Sequence, residues 1–259
     1  MAQFDRALFL YGLDVTDNNK YVNFKTSNLG NEITAVLNIG NYTCTQFMAE
    51  LKRAVELADG TNTYIFSLDR TINSGSSNRM HVTTSGSYLD ILFGTGTNSA
   101  NSPAVLMGFS NNDYTGSTTY TGFTNAGNIL YPDFPTYDYL GPDDIVTNDG
   151  VKNISASGIK ETIVFAQMYF FQGQWKYVTD FGLSTQKSEW QTFLKYATKQ
   201  LKFEFEPSVQ EDPDVYYQCT LESTPGDSNG MGYRLSQMRG EGLYRFYDTG
   251  VMKFRVIPS

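Results

Sequence analysis

His81 is the only histidine in this 259-residue chain, and it limits what nucleophilic chemistry the chain can do. A Ser-His-Asp or Cys-His arrangement needs an imidazole to carry the proton, so any such site would have to use this residue. It sits in "NRMHVTT", where alternation reads as a strand with the imidazole at a partly exposed position. No His-Glu-x-x-His pair or Cys-x-x-Cys pair accompanies it. Zinc chemistry lacks ligands on the same grounds.

Carboxylates are the next candidates, because two of them flanking a sugar are enough to hydrolyse a glycosidic bond. Asp143, Asp144 and Asp149 lie in "GPDDIVTNDG", and Glu211, Asp212 and Asp214 lie in "VQEDPDVYY". Both are Pro/Gly turn contexts in which an Asp side chain serves the backbone. "LDVTDNNKY" imitates the start of a calcium loop at Asp14, Thr16 and Asn18, but Lys25 stands where the bidentate Glu belongs and no central Gly follows. The residues therefore predict no enzyme, no catalytic residues, no metal and no cofactor. Tyr and Trp side chains that stack on sugar rings would make a carbohydrate-binding protein instead, although core packing and protein interfaces use the same residues.

The elements around these residues are mostly strands. The exception is "NIGNYTCTQFMAELKRAVELADG", residues 38–60, which predicts an amphipathic helix over about 43–58. Thr43 and Gln46 have capping-box spacing, and Gly60 is placed to end the helix in the left-handed conformation. Phe47, Met48, Leu51, Ala54, Val55 and Ala58 recur at helical period, which leaves Glu50, Lys52, Arg53 and Glu56 for water. Nothing on the apolar face does chemistry, so the helix is expected to pack over a sheet. A second helix is expected over about 185–199, capped at Ser184, with Trp190, Phe193, Leu194, Ala197 and Leu201 as its stripe. "QFDRALFLYG", "KYVNFKT", "EITAVLNIG", "NTYIFSLD", "YLDILFG", "GIKETIVFAQMYFF", "LKFEFEP", "DVYYQCTLE", "EGLYRFYD" and "GVMKFRVIP" read as strands.

The predicted fold is mainly β. Two antiparallel β-sandwich or barrel-like domains, residues 1–109 and 154–259, each carry one packed amphipathic helix. Between them, residues 110–153 are rich in Tyr, Asn and Gly and too weakly periodic to predict regular structure, so they are expected to form an irregular arm. Tyr114, Tyr120, Phe123, Tyr131, Phe134, Tyr137 and Tyr139 give that arm apolar surface needing cover, and are the candidate subunit-interface residues.

The formal net charge of −8 opposes close approach to a phosphate backbone, so no direct nucleic-acid binding is expected. No apolar run reaches the ~18–20 residues of a bilayer helix, so no membrane partner is expected. Asp5 and Arg6 precede a very short apolar run, unlike a secretory leader. Cys44 and Cys219 are widely separated and are expected to be free thiols of a protein made in a reducing cytoplasm.

Two stretches resemble virion structural proteins of tailed bacteriophages. One is "LNIGNYTCTQFMAELKRAVEL" with "TYIFSLDRTINSG", "SYLDILFGTG" and "VLMGFSNNDYTGSTTYTG" after it. The other is "SASGIKETIVFAQMYFF", followed by "SEWQTFLKYATKQLKFEFEPS" and "VYYQCTLE", which is similar to tail and baseplate components. The resemblance implies a ring-forming, distal-tail-like adaptor of the tail or baseplate, assembled in the virion from copies of itself and other tail or neck proteins after synthesis in the bacterial cytoplasm. A neck, collar or capsid-surface subunit of the same kind of particle is the nearest alternative. A host adhesin that binds carbohydrate is the alternative of another class.

Overall fold

The computed structural model describes residues 7–69, 78–132, 145–154, 160–181, 186–207, 215–239 and 245–257; for 145–154, 160–167 and 239 it describes the backbone alone. The chain is mainly β, with two helices and several antiparallel sheets. It divides into two compact units, Leu10–Ile129 and the discontinuous Met1–Phe9 with Leu130–Ser259. Each unit carries one helix. The expected boundaries at 109 and 153 are thus replaced by an insertion of one unit within the other's sequence.

In Leu10–Ile129, β2 (Leu13–Val15) pairs with β5 (Gly40–Tyr42). A four-stranded sheet runs in the order β4 (Ile33–Val36), β3 (Tyr21–Thr26), β8 (Leu89–Leu92), β9 (Asp113–Ser117). A three-stranded sheet has the order β10 (Thr119–Thr121), β7 (Arg79–Thr84), β6 (Tyr64–Asp69). Alternation sets its faces: Tyr64, Met80 and Val82 are buried, while Ile65 and Ser67 between them are exposed.

Helix α1 (Cys44–Asp59) has both ends the sequence predicts. The Thr43 hydroxyl accepts from the Gln46 N–H, the Gln46 side chain accepts from the Thr43 N–H, and Gly60 ends the helix at φ +70°. Such a cap is worth about 0.5–2 kcal/mol. Phe47, Leu51, Ala54 and Val55 are buried, and α1 lies against β4 and β6. Three assignments on its faces need correction. Met48 and Ala58 are only half-buried, and Glu50, expected in water, is buried. Helical period alone hid this, because a carboxylate can be buried when its charge and lone pairs find partners.

Seven strands, most of whose residues belong to the discontinuous unit, follow the order β11 (Asn128–Leu130), β1 (Leu8–Tyr11), β15 (Phe203–Glu206), β16 (Tyr217–Ser223), β19 (Met252–Val256), β13 (Lys160–Gly173), β12 (Ile145–Ile154). A smaller sheet has the order β14 (Val178–Thr179), β18 (Phe246–Asp248), β17 (Ser236–Arg239). Helix α2 (Gln186–Ala197) buries Trp190, Phe193, Leu194 and Ala197; its expected cap Ser184 lies outside the described residues. Phe9 is the hub of the core, with ring centroids 4.7 Å from Phe193, 4.8 Å from Phe205, 5.4 Å from Trp175 and 5.7 Å from Trp190. Such pairs contribute about 0.5–1.5 kcal/mol each beyond burial of their area.

The arm expected over 110–153 is corrected wherever that stretch is described, since β9, β10, β11 and β12 all fall within it. Its strands are short or rich in Thr, Asn and Gly, so local alternation is weak; pairing with partners elsewhere in the chain makes them strands. β9 pairs with β8, β10 with β7, and β12 with β13 along its whole length.

Candidate functional site

The seven candidate interface residues separate into three groups. Tyr114 and Tyr120 are half-buried and make hydrogen bonds within their own unit. The Tyr114 hydroxyl accepts from the Ser110 N–H at 3.2 Å and sits 2.8 Å from the Ser110 hydroxyl, and its ring meets the rings of Phe109 and Tyr120 edge-on. The Tyr120 hydroxyl donates to the Leu89 carbonyl at 2.6 Å and accepts from the Ser117 N–H at 2.9 Å. Burial raises the Tyr120 pKa; the Ser117 N–H opposes that shift and the nearby Asp90 charge adds to it. These contacts give both residues a packing role that fastens β9 and β10 to the strands beside them.

Tyr131 is half-buried, and Phe134, Tyr137 and Tyr139 lie outside the described residues. Of the four that are described, Phe123 is the freely presented ring, 75% exposed.

What holds Phe123 at the surface is a pair of loops bonded to each other. Residues 103–109 fold into consecutive turns, with Met107 N–H donating to Pro103 O at 2.9 Å and Phe109 N–H to Ala104 O at 2.8 Å. The loop at 122–127 then donates into them, Thr124 N–H to Gly108 O at 2.8 Å and Gly127 N–H to Leu106 O at 3.0 Å. Its ends are also tied to β7 and the residue before it, Gly122 N–H to Met80 O at 2.8 Å and Ala126 N–H to Asn78 O at 2.9 Å. Gly108 has φ +77°, and a Cβ there would collide with the Thr124 carbonyl, so the junction requires glycine.

Beneath these loops Ala104, Met107, Phe109 and Ala126 are buried, while Val105 is 72% exposed. Val105 and Phe123 therefore ride on a hydrogen-bonded scaffold that points apolar side chains outward. The sequence reading missed Val105. Its signal was an apolar run, "PAVLMGF", longer than the buried positions of such a turn can use.

The residues weighed for catalysis do not converge. His81 stands half-buried on β7 with Nδ1 2.9 Å from the Thr121 hydroxyl. Asp14 serves the chain, its side chain accepting from Asn41 at 2.6 Å and its carbonyl from Asn19 at 2.9 Å. The side chains of Asp143, Asp144, Asp149, Glu211, Asp212 and Asp214 lie outside the described residues. Among the described residues no group of three or more His, Cys, Asp and Glu is placed to hold a metal ion, and no helix is long and apolar enough to cross a membrane. Cys44 and Cys219 are buried free thiols, one in each unit. Burial pushes the Cys219 thiol far above its ordinary range, which suppresses its thiolate.

No protein-family model matches the chain, and a search of curated proteins finds no match.

Proposed function

We propose that the protein is a structural subunit of a tailed-bacteriophage virion, made in the bacterial cytoplasm and acting by protein–protein assembly in the tail or baseplate, where copies of it form a ring. The observation that carries this reading is the scaffolded apolar pair Val105 and Phe123. An exposed Phe held on fixed loops forgoes roughly 1.5–3 kcal/mol of burial in the isolated chain. A partner surface recovers it without an ordering cost, because the loops are already fixed. Closed rings repeat one heterologous contact around the circle, so one such patch and its complement on the next copy suffice. The resemblance of two stretches of the sequence to virion structural proteins of tailed bacteriophages, the second of them to tail and baseplate components, supports the same reading.

Mass photometry and sedimentation velocity on the purified chain test it. The wild type is expected to associate with rising concentration, and Phe123→Ser is expected to shift it toward monomer with an unchanged melting temperature. A wild type that stays monomeric up to its solubility limit, or a Phe123→Ser protein that associates as well as wild type, overturns the reading.

A further inference from the structure

The β16–β19 ladder borders a polar cleft of about 570 Å³ that the assembly reading leaves unused. Leu221 pairs with Phe254 and Ser223 with Lys253, so Glu222 is the extra residue of a β-bulge. A bulge breaks strict alternation and re-aims its extra side chain. Leu221 stays in the core, while Glu222, Ser223 and Lys253 all line the cleft. The far wall is the turn Thr224–Asp227, closed by two backbone hydrogen bonds of 3.0 Å between its end residues, with Gly226 at φ +84°. The Thr224 hydroxyl anchors it to the Gly232 carbonyl at 2.6 Å, and the Asp227 carboxylate accepts from the Asn229 N–H at 2.9 Å.

The groups on this frame keep most of their hydrogen-bonding capacity. Among the described residues, the side chains of Glu222, Ser223 and Ser228 make no hydrogen bond or ion pair, and the Lys253 ammonium has only the Phe170 ring, 3.9 Å from its centroid. Open valences on a fixed frame are what a polar ligand site requires.

Charge selects the ligand class. Glu222 and Asp227 repel an anion, and the Lys253 ammonium repels a metal ion. A neutral molecule with several hydroxyls uses both signs at once. Its hydroxyls donate to the two carboxylates, and its oxygens accept from Lys253 and the serine hydroxyls. The volume lies within the roughly 300–1,000 Å³ of small-molecule clefts and is too large for a bare ion. We propose that this cleft is a saccharide-binding site. It does not depend on the assembly reading, and either can fail alone.

The test uses the full chain against an array of neutral oligosaccharides terminating in glucose, galactose, mannose, rhamnose or N-acetylglucosamine, followed by saturation-transfer NMR on those retained. N-acetyl-arginine amide, glycine and sulfate serve as cationic, zwitterionic and anionic probes. At least one oligosaccharide is expected to bind, with Glu222→Gln and Lys253→Met each weakening it by about tenfold or more. The circular dichroism spectrum and melting temperature of each variant are expected to match wild type. Absence of binding to every oligosaccharide overturns the proposal, as does binding that survives both substitutions. Binding of the arginine probe alone also overturns it, and reassigns the cleft to a partner protein's basic side chain.

Discussion

Helices α1 and α2 each lie against β-structure, but their buried faces are fixed by different chemistry. On α2, Trp190 and Phe193 enter the cluster of rings around Phe9, and one ion pair, Lys187 to Asp180 at 2.8 Å, ties down the first turn. On α1 the buried face includes two carboxylates. Glu50 accepts from the Asn38 N–H at 2.7 Å and from the Arg53 Nε at 2.7 Å. Asp59 accepts from the Asn62 N–H at 2.9 Å, the Asn62 side-chain amide at 2.7 Å, the Tyr64 hydroxyl at 3.0 Å and the Thr26 hydroxyl at 3.4 Å. A buried ring stabilises through its area and tolerates small shifts. A buried carboxylate stabilises only while its partners stay in place, and its removal leaves several donors unsatisfied.

The largest effect is expected on the aromatic side of this contrast. Trp190 is 1% exposed and Phe193 fully buried, so Trp190→Ala or Phe193→Ala should cost about 3–5 kcal/mol in urea unfolding followed by circular dichroism. A loss under about 1 kcal/mol would mean that the cluster repacks and that α2 is not held by its rings.

Next is Asp59→Ala, which strands the Asn62 N–H, the Asn62 amide and the Tyr64 hydroxyl in a buried place, at an expected cost of about 2–3 kcal/mol. Tyr64 is held well above the ordinary tyrosine range, first by burial and then by its hydrogen bond to Asp59 and that residue's charge. Asp59→Asn keeps one acceptor oxygen and should lose less than Asp59→Ala in the same assay. Equal losses from the two would show that the charge, not the hydrogen-bond count, fixes this end of α1.

The contrast also explains what the sequence revealed and what it concealed. Capping and ring periodicity are local: Thr43, Gln46 and Gly60 sit within reach of the helix they bound, and Trp190 and Phe193 are three apart on one helical face. Arg53, Asn62 and Tyr64 lie close in sequence to the carboxylates they meet, but other partners of Glu50 and Asp59 do not. Asn38 lies 12 residues before Glu50, and Thr26 lies 33 before Asp59, so period alone sends Glu50 to water. The same limit hid β9 to β11, which are only three to five residues long and whose partners β8, β7 and β1 lie elsewhere in the chain; β12 pairs with the neighbouring β13, but Asn148, Asp149 and Gly150 at its centre carry little strand preference. At the candidate surface, aromatic enrichment drew attention to Tyr114, Tyr120 and Phe123 alike. Which of these rings was free depended on the Ser110, Leu89 and Ser117 hydrogen bonds, none visible without the fold.

The smallest expected effect carries a pH signature. The hydrogen bond from Arg53 holds the Glu50 carboxyl below its usual range; burial opposes this, and the Asn38 N–H and the Arg53 charge add to it. A carboxyl whose folded pKa is depressed adds stability that is fully present above its unfolded pKa and is lost as pH falls through the folded value. The Glu50 side chain is 8% exposed but Arg53 is 42% exposed, so solvent screens the pair and its charge-dependent part is about 1 kcal/mol. Glu50→Gln keeps the shape and one acceptor, and so isolates that part. At pH 7 the variant should be less stable than wild type by about 1 kcal/mol, and less so in high salt. Below about pH 4.3, where an unfolded glutamate takes up its proton, the gap should begin to narrow, and it should close once the folded Glu50 is also neutral. Urea unfolding of both proteins across this acid range measures the gap directly. A gap that stays constant from neutral to acid pH would assign the anchor to side-chain shape, and the polar hold on α1 would then rest on Asp59 alone.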